Sequence, residues 1–185
     1  MNENIIIVKD AFDLKFCNRC FDISADYEAS IGTGPVATVD SNIRKSKVTF
    51  LEGVFEHLDI YQPILTFLNE VNKEYFNFHL SAIQPPQLTE YDSVYQGEYK
   101  QHKDTAVIQE GGIVRKLSMV VQLTPKDNYE GGELHFKEST NYDVELTKQQ
   151  GTAIVFPSYL WHGVTPVTSG LRKSLVVWAI GNEFK

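Results

Sequence analysis

The chain has 185 residues, enough for one well-buried domain and short for two. Hydrophobic residues make up 42% and charged residues 22%, ordinary globular usage that excludes global disorder. A net charge of −7 argues against broad, charge-driven binding to nucleic acid or to an anionic membrane surface. The polar Met1–Asn4 and the brief Ile5–Val8 run do not read as a secretory leader. The longest apolar runs, such as Leu175–Ile180, fall far short of a membrane span. Two cysteines, Cys17 and Cys20, do not make a disulfide framework. A soluble, intracellular, cytoplasmic protein is the expectation.

In chain order, Ile5–Val8 is a short β-like run. Ala11–Ile23 follows with Phe12, Phe16 and Cys20 repeating every four residues, the pattern of an amphipathic helix. Ser30–Asn42 carries two glycines, a proline and small polar residues, and reads as a mobile loop. Arg44–Phe50 reads as a strand. Leu58–Glu74 reads as a helix with Ile60, Ile64, Leu65, Leu68 and Val71 on one side. From Asn77 onward short β-rich runs alternate with turns: 78–83, 87–91, 98–102, 116–123, 133–136, 142–146, 152–156 and 174–180. The 11 Phe, 9 Tyr and 2 Trp suit such a sheet-rich core. The expected architecture is one mainly β domain over 1–185. Residues 1–76 form an α/β support region with a candidate substrate loop, and 77–185 form an antiparallel sandwich or barrel. The strongest turn signal is Asp127-Asn-Tyr-Glu-Gly-Gly.

Chemistry concentrates in the C-terminal half. His102 and Asp104 form an H-x-D pair, and His162 follows sixty positions later. Residues i and i+2 of a strand share a face, so His102 and Asp104 can reach one metal from a strand end. His162 must come from a distant strand or the loop after it. The run Thr152–His162 reads as a buried strand, a proline stop and an exposed histidine. Two imidazoles and a carboxylate suit Fe(II), with roughly three positions left for other ligands. Arg172, ten positions after His162, opens the run Arg-Lys-Ser-Leu-Val-Val-Trp, where an acidic co-substrate would be gripped. Each residue also has a bland reading: the H-x-D pair on a solvated loop, and His162 as a satisfied, half-buried imidazole.

The flanking motifs decide between the two. They are Tyr91-x-x-x-Tyr-x-Gly-x-Tyr99 before His102, Arg115-Lys-Leu-Ser-Met-Val-Val-Gln-Leu, Tyr129-Glu-Gly-Gly-Glu-Leu, Phe156-Pro157, His162-Gly-Val-Thr-Pro-Val and Arg172-Lys-Ser174. In order and spacing, from about Tyr91 to Trp178, the chain resembles the 2-oxoglutarate- and Fe(II)-dependent oxygenases, in their prolyl 4-hydroxylase-like, PKHD-type branch. Arg44-x-Ser46 and the 58–74 helix resemble the support region of these enzymes. The resemblance implies a double-stranded β-helix (jelly-roll, cupin-like) core with iron at one mouth. It assigns His102, Asp104 and His162 to the metal and Arg172 to the distal carboxylate of 2-oxoglutarate. Ser174 would add a hydrogen bond, Trp178 would wall the pocket, and Gln122 would line it. Tyr91, or failing it Tyr99, would contact the co-substrate. The implied reaction consumes O2 and 2-oxoglutarate, yields succinate and CO2, and hydroxylates an unactivated C–H bond, with ascorbate as a candidate reductant.

A prolyl residue of a peptide or protein is the first-ranked acceptor. A free amino acid or other small molecule, or a β-barrel that binds without turnover, are the alternatives. Nucleic acid ranks low, because Trp178 stands where the nucleic-acid demethylases of this superfamily carry a second arginine. Neither the oligomeric state nor the source follows from the residues; if a phage encodes the chain, the host cytoplasm is the expected location. Cys17-Asn-Arg-Cys20 spells C-x-x-C but lies in a predicted helix without a second pair, so reduced structural cysteines are expected. His57, His79 and His135 stay outside the metal set. Arg44, Lys45 and Lys47 make a small basic cluster beside the Ile31–Asn42 loop; a solvated strand entry is the first reading, and the alternative is that the loop closes over a bound peptide which the cluster orients.

Overall fold

The structure, a computed structural model, describes residues 5–30, 43–105, 107–109, 112–137, 139 and 142–183. The predicted Ile31–Asn42 substrate loop lies outside the described residues. The elements in order are β1 (Ile6–Val8), α1 (Leu14–Ser30), β2 (Arg44–Lys45), β3 (Lys47–Phe50), α2 (Leu58–Val71), β4 (Ala82–Ile83), β5 (Gln87–Asp92) and β6 (Glu98–His102). They continue with β7 (Val107–Gln109), β8 (Ile113–Gln122), β9 (Tyr129–Gly131), β10 (Leu134–Phe136), α3 (Val144–Thr147), β11 (Ala153–Pro157), β12 (His162–Val164) and β13 (Val167–Asn182).

The strands form two antiparallel sheets. The larger has the spine β1-β11-β8-β13-β5-β3, with β4 and β9 on β13 and β7 on β8; the smaller runs β10-β12-β6-β2. The fold is the expected jelly roll. Strand alternation divides its two tasks. On the larger sheet Leu117, Met119 and Val121 of β8, Ala153 and Val155 of β11, and Leu175, Val177 and Ala179 of β13 point outward. There they meet the apolar faces of α1 (Phe16, Cys17, Cys20, Ile23) and α2 (Ile60, Ile64, Leu68). The intervening residues, among them Val120, Ile154 and Phe156, face the smaller sheet with Leu134, Phe136 and Val164. The helices thus leave the inner face free for a site.

Several elements differ from their predicted form. The α1 helix starts at Leu14 rather than Ala11, because the Asp13 carboxylate caps it by accepting from Phe16 N at 2.8 Å. The 44–50 run is not one strand: β2 pairs with β6 of the smaller sheet and β3 with β5 of the larger. The support region therefore contributes strands to both sheets. The α2 helix ends at Val71, passing into a wider π-helical turn over Asn72–Phe76. Only Ala82–Ile83 of the 78–83 run is β. The 142–146 run is helical, because the Asp143 carboxylate accepts from Leu146 N at 3.0 Å and caps α3. Cys17 and Cys20 are free and buried on the inner face of α1, and burial pushes the Cys17 thiol up to about 11, as expected of inert structural cysteines. Among the described residues no helix is long and apolar enough to cross a membrane.

The start of α1 is fastened to the sheet at Gly151. Phe12 N donates to Gly151 O at 3.0 Å, while Gly151 itself sits at φ +81° with the Phe12 carbonyl only 2.2 Å from where a Cβ would stand. Both the conformation and the space demand glycine. Gly151→Ala is expected to cost about 2 kcal/mol or more, a fall on the order of 5 °C in Tm by calorimetry.

Candidate metal centre and co-substrate cavity

His102 closes β6 and His162 opens β12, and the two stand directly opposite each other in the ladder. Asp104 follows just past the end of β6. Its backbone N–H donates to Ser158 O at 2.9 Å, and Ser158 N donates in turn to Lys116 O, so the carboxylate is hung from the β11–β12 turn. The Nε2 atoms of His102 and His162 lie 3.4 and 3.3 Å from the two Asp104 oxygens. All three groups offer ligand atoms within 4.8 Å of one another. His162 is buried, not exposed as the sequence suggested, because β12 runs inside the sandwich against Phe156 and Phe136.

The imidazoles are oriented from behind. His102 Nδ1 lies 2.8 Å from Lys100 O and His162 Nδ1 lies 3.0 Å from Leu160 O. A carbonyl only accepts, so each Nδ1 carries a proton, and Nε2 is the ring atom turned toward Asp104 and the candidate metal position. The Tyr99 ring stacks on His102 with centroids 3.5 Å apart, and the Arg44 guanidinium covers Tyr99 at 4.7 Å. Burial alone would raise the Asp104 carboxyl. Hydrogen bonds from His102, His162 and Ser118 outweigh that and hold it well below the usual carboxylate range, so it is an anionic ligand at neutral pH. Ser118 Oγ donates to Asp104 Oδ2 at 2.7 Å and lies 2.9 Å from Ser158 Oγ.

Behind this triad opens a cavity of about 210 Å3. Its wall includes Arg172, Ser174, Val176 and Trp178, the alternate residues of β13, all of which face inward. Arg172 is 2% exposed, and its Nη1 donates to Ser174 Oγ at 3.3 Å. Among the described residues no carboxylate pairs with it. Its Cδ would lie 2.8 Å from a Cβ at Gly132, so the turn signalled by Gly131-Gly132 makes room for the guanidinium. Tyr91 lines the same cavity beneath Arg172, its ring 5.4 Å from the guanidinium carbon.

The structure thus brings His102, Asp104, His162, Arg172, Tyr91, Tyr99, Ser174 and Trp178 to one cavity. Gln122 is the exception among the predicted residues. It lies opposite Ser174 at the end of β8, where its amide donates to Thr124 O at 3.1 Å, and it does not line the cavity. Sequence reasoning missed Ser118 and Ser158. Ser118 carried a signal, as the lone hydroxyl within the apolar part of β8. It also left Arg115 without a role: this residue lines the cavity with its guanidinium 3.7 Å from the Trp178 ring centre. Arg44 lines it too, whereas its neighbour Lys45 is paired with Glu98 at 3.0 Å.

A family model described as the 2OG-Fe(II) oxygenase superfamily matches residues 86–180, just over half of the chain. The chain belongs to this superfamily. A PKHD-type hydroxylase of Colwellia psychrerythraea is 38% identical over 88 residues, which cover 47% of this chain and 39% of that protein. The match thus spans about two fifths of that relative's length. A Pseudomonas putida prolyl-4-hydroxylase superposes with TM-score 0.74 at 19% identity, covering 98% of this chain and 95% of the other. A Trichoplax adhaerens prolyl hydroxylase, solved with a hypoxia inducible factor peptide fragment, superposes with TM-score 0.69 at 14% identity, covering 96% and 84%. These two likenesses show a shared fold.

The superfamily's groups, Fe(II) and 2-oxoglutarate, fit the residues present. Two imidazoles that turn Nε2 to a common point and a carboxylate held anionic are the donor set of a non-haem iron site. An unpaired, buried guanidinium is the natural counter-charge for a dicarboxylate. Ser118 would act on a bound metal through Asp104, and outer partners of this kind commonly change metal affinity by about 10- to 100-fold. Ser118→Ala is expected to weaken Fe(II) or Mn(II) binding by about that factor, read by anaerobic titration, with far-UV circular dichroism unaltered.

Proposed function

We propose that this chain is a 2-oxoglutarate-dependent dioxygenase that hydroxylates a prolyl residue of a peptide or protein. The observation that carries the oxygenase reading is Arg172, a buried cation without a carboxylate partner among the described residues, in the same cavity as the triad. Leaving such a charge unpaired costs several kcal/mol, and an acidic co-substrate offsets this. The prolyl reading is supported by the names of its relatives: the matched Colwellia protein is a PKHD-type hydroxylase, and both structural neighbours are prolyl hydroxylases.

His102, Asp104 and His162 would hold the iron, and Arg172 the far carboxylate of 2-oxoglutarate. Bound together, these groups supply the oxidising chemistry: one atom of O2 ends in succinate, with release of CO2, and the other in the hydroxylated product. The protein's part is placement and exclusion. Arg172 and Ser174 fix the inner end of the co-substrate. Val120, Leu134, Val164 and Val176 keep water from the cavity wall, and Trp178 closes one side. Ser118 and Ser158 keep the Asp104 carboxylate aimed at the metal.

The test begins without oxygen. Fe(II) and then 2-oxoglutarate are added to the protein, and the visible iron-to-co-substrate charge-transfer band is followed. The parent is expected to develop the band and His162→Ala to lose it. Arg172→Ala should need about 30-fold more 2-oxoglutarate or beyond, the equivalent of about 2 kcal/mol for a broken buried charge pair. Admission of O2 with a blocked proline-containing peptide should then yield succinate and a peptide one oxygen heavier. Turnover with free proline but not the peptide would move the acceptor to small molecules. A folded protein without the band would overturn the oxygenase reading.

A further inference from the structure

The row of residues next to the two metal-binding histidines carries an unusual surface. In the smaller sheet Phe136, His162 and His102 stand side by side across β10, β12 and β6. Continuing that register by one residue brings Lys137, Trp161 and Lys103 into the adjacent row, and Lys137 N donates to Trp161 O at 2.9 Å. Successive residues point to opposite faces, so this row looks outward where the histidines look inward. The two ammonium groups approach the Trp161 ring at 5.4 Å (Lys103) and 5.7 Å (Lys137). The indole is 36% exposed, and both lysines are exposed.

Lysine stems often shade an exposed aromatic ring for packing alone. Two further facts argue for a ligand. The chain carries a net charge of −7, and elsewhere Lys45, Lys126 and Lys173 sit beside Glu98, Glu145 and Glu90. Yet among the described residues no carboxylate pairs with Lys103 or Lys137. Like charges gathered at one ring repel each other, and an anion between them relieves the repulsion. The next outward-facing position on β12 is Gly163, and the imidazole of its cross-strand partner His135 lies against it.

We propose that Lys137, Trp161 and Lys103 form a docking site for an acidic segment of the protein substrate, an inference that rests on the peptide reading above. A Glu or Asp carboxylate lies between the ammonium groups, with its aliphatic stem on the indole. A single row is too short to track successive phosphates of a nucleic acid, which need an extended basic groove. Passing from one face of a sheet to the other is on the order of 10 Å. That is about three residues of extended chain, so the acidic residues lie at least that far from the hydroxylated position.

The test uses fluorescence anisotropy on the full chain, with and without Fe(II) and 2-oxoglutarate under anaerobic conditions. The probes are dye-labelled hexaglutamate, hexaglutamine, hexalysine and a ten-nucleotide oligothymidylate. Hexaglutamate is expected to bind with an affinity that falls as salt rises, and hexaglutamine and hexalysine are not. Lys103→Gln and Lys137→Gln together should weaken hexaglutamate at least tenfold without moving Tm, and Trp161→Leu should weaken it several-fold. In turnover, a prolyl peptide with glutamates three or more residues from the proline should show a lower KM than its glutamine version, and the double variant should erase that difference. Equal hexaglutamate binding by parent and double variant overturns the proposal, as does tighter binding of the oligothymidylate. Anisotropy needs no turnover. Loss of the charge-transfer band with docking intact would therefore sink the oxygenase reading and leave the acidic site standing.

Discussion

The site depends on one register: His162 opposite His102 across β12 and β6. A slip of one residue in β12 would turn His162 outward and bring Trp161 or Gly163 to the inner face, because strand side chains alternate with period two. Several contacts hold the pairing. Phe136 and Phe156 pack the His162 ring from the inside, with centroids 6.2 and 4.7 Å away. Gly163 allows β6 to approach, since a Cβ there would meet Tyr99 O at 2.7 Å. Asp104, beyond the ladder, is tied to the same frame through Ser158, so the third candidate ligand is positioned by the larger sheet and the first two by the smaller.

The larger sheet meets opposite demands on its two faces. On β13 the residues Leu175, Val177 and Ala179 pack under the helices, while Arg172, Ser174, Val176 and Trp178 turn to the cavity. One strand thus anchors the core and carries the buried arginine of the cavity. Apolar burial on the outer face supplies the stability that a buried, unpaired guanidinium on the inner face takes away. The α1 and α2 helices matter to the site in this indirect sense. They pack on the outer face of the sheet, which lets the inner face stay polar.

Much of this was legible in the residues, for physical reasons. Period-two spacing put His102 with Asp104 and Arg172 with Ser174, and heptad-like apolar spacing gave both large helices. What the sequence hid was mostly tertiary. Asp143 and Leu146 make a local cap that turns a β-like run into α3, a competition that composition alone does not resolve. Arg44–Phe50 reads as one strand, but the chain crosses between sheets at Ser46, whose hydroxyl accepts from Arg44 Nε at 2.6 Å. Gln122 has the right parity to face the cavity; its place at the end of β8 sends its amide to Thr124 instead. Ser118 was masked by its apolar neighbours, because its role exists only once β8 is brought beneath Asp104.

Charge unites the cavity with the chain around it. Arg44, Arg115 and Arg172 line the cavity, while Asp104 is the one carboxylate lining it among the described residues. The molecule as a whole carries −7, so positive charge has been concentrated inward against the overall balance. A divalent metal on the triad increases that excess further. Low-dielectric walls such as Val120, Leu134 and Val176 strengthen the resulting field. A neutral ligand would gain little from such a field, whereas a dicarboxylate would be drawn in, and on the proposed reading its inner carboxylate would meet Arg172 where water is least able to compete. On the proposed reading these electrostatics would select the co-substrate before any contact specific to the acceptor is made.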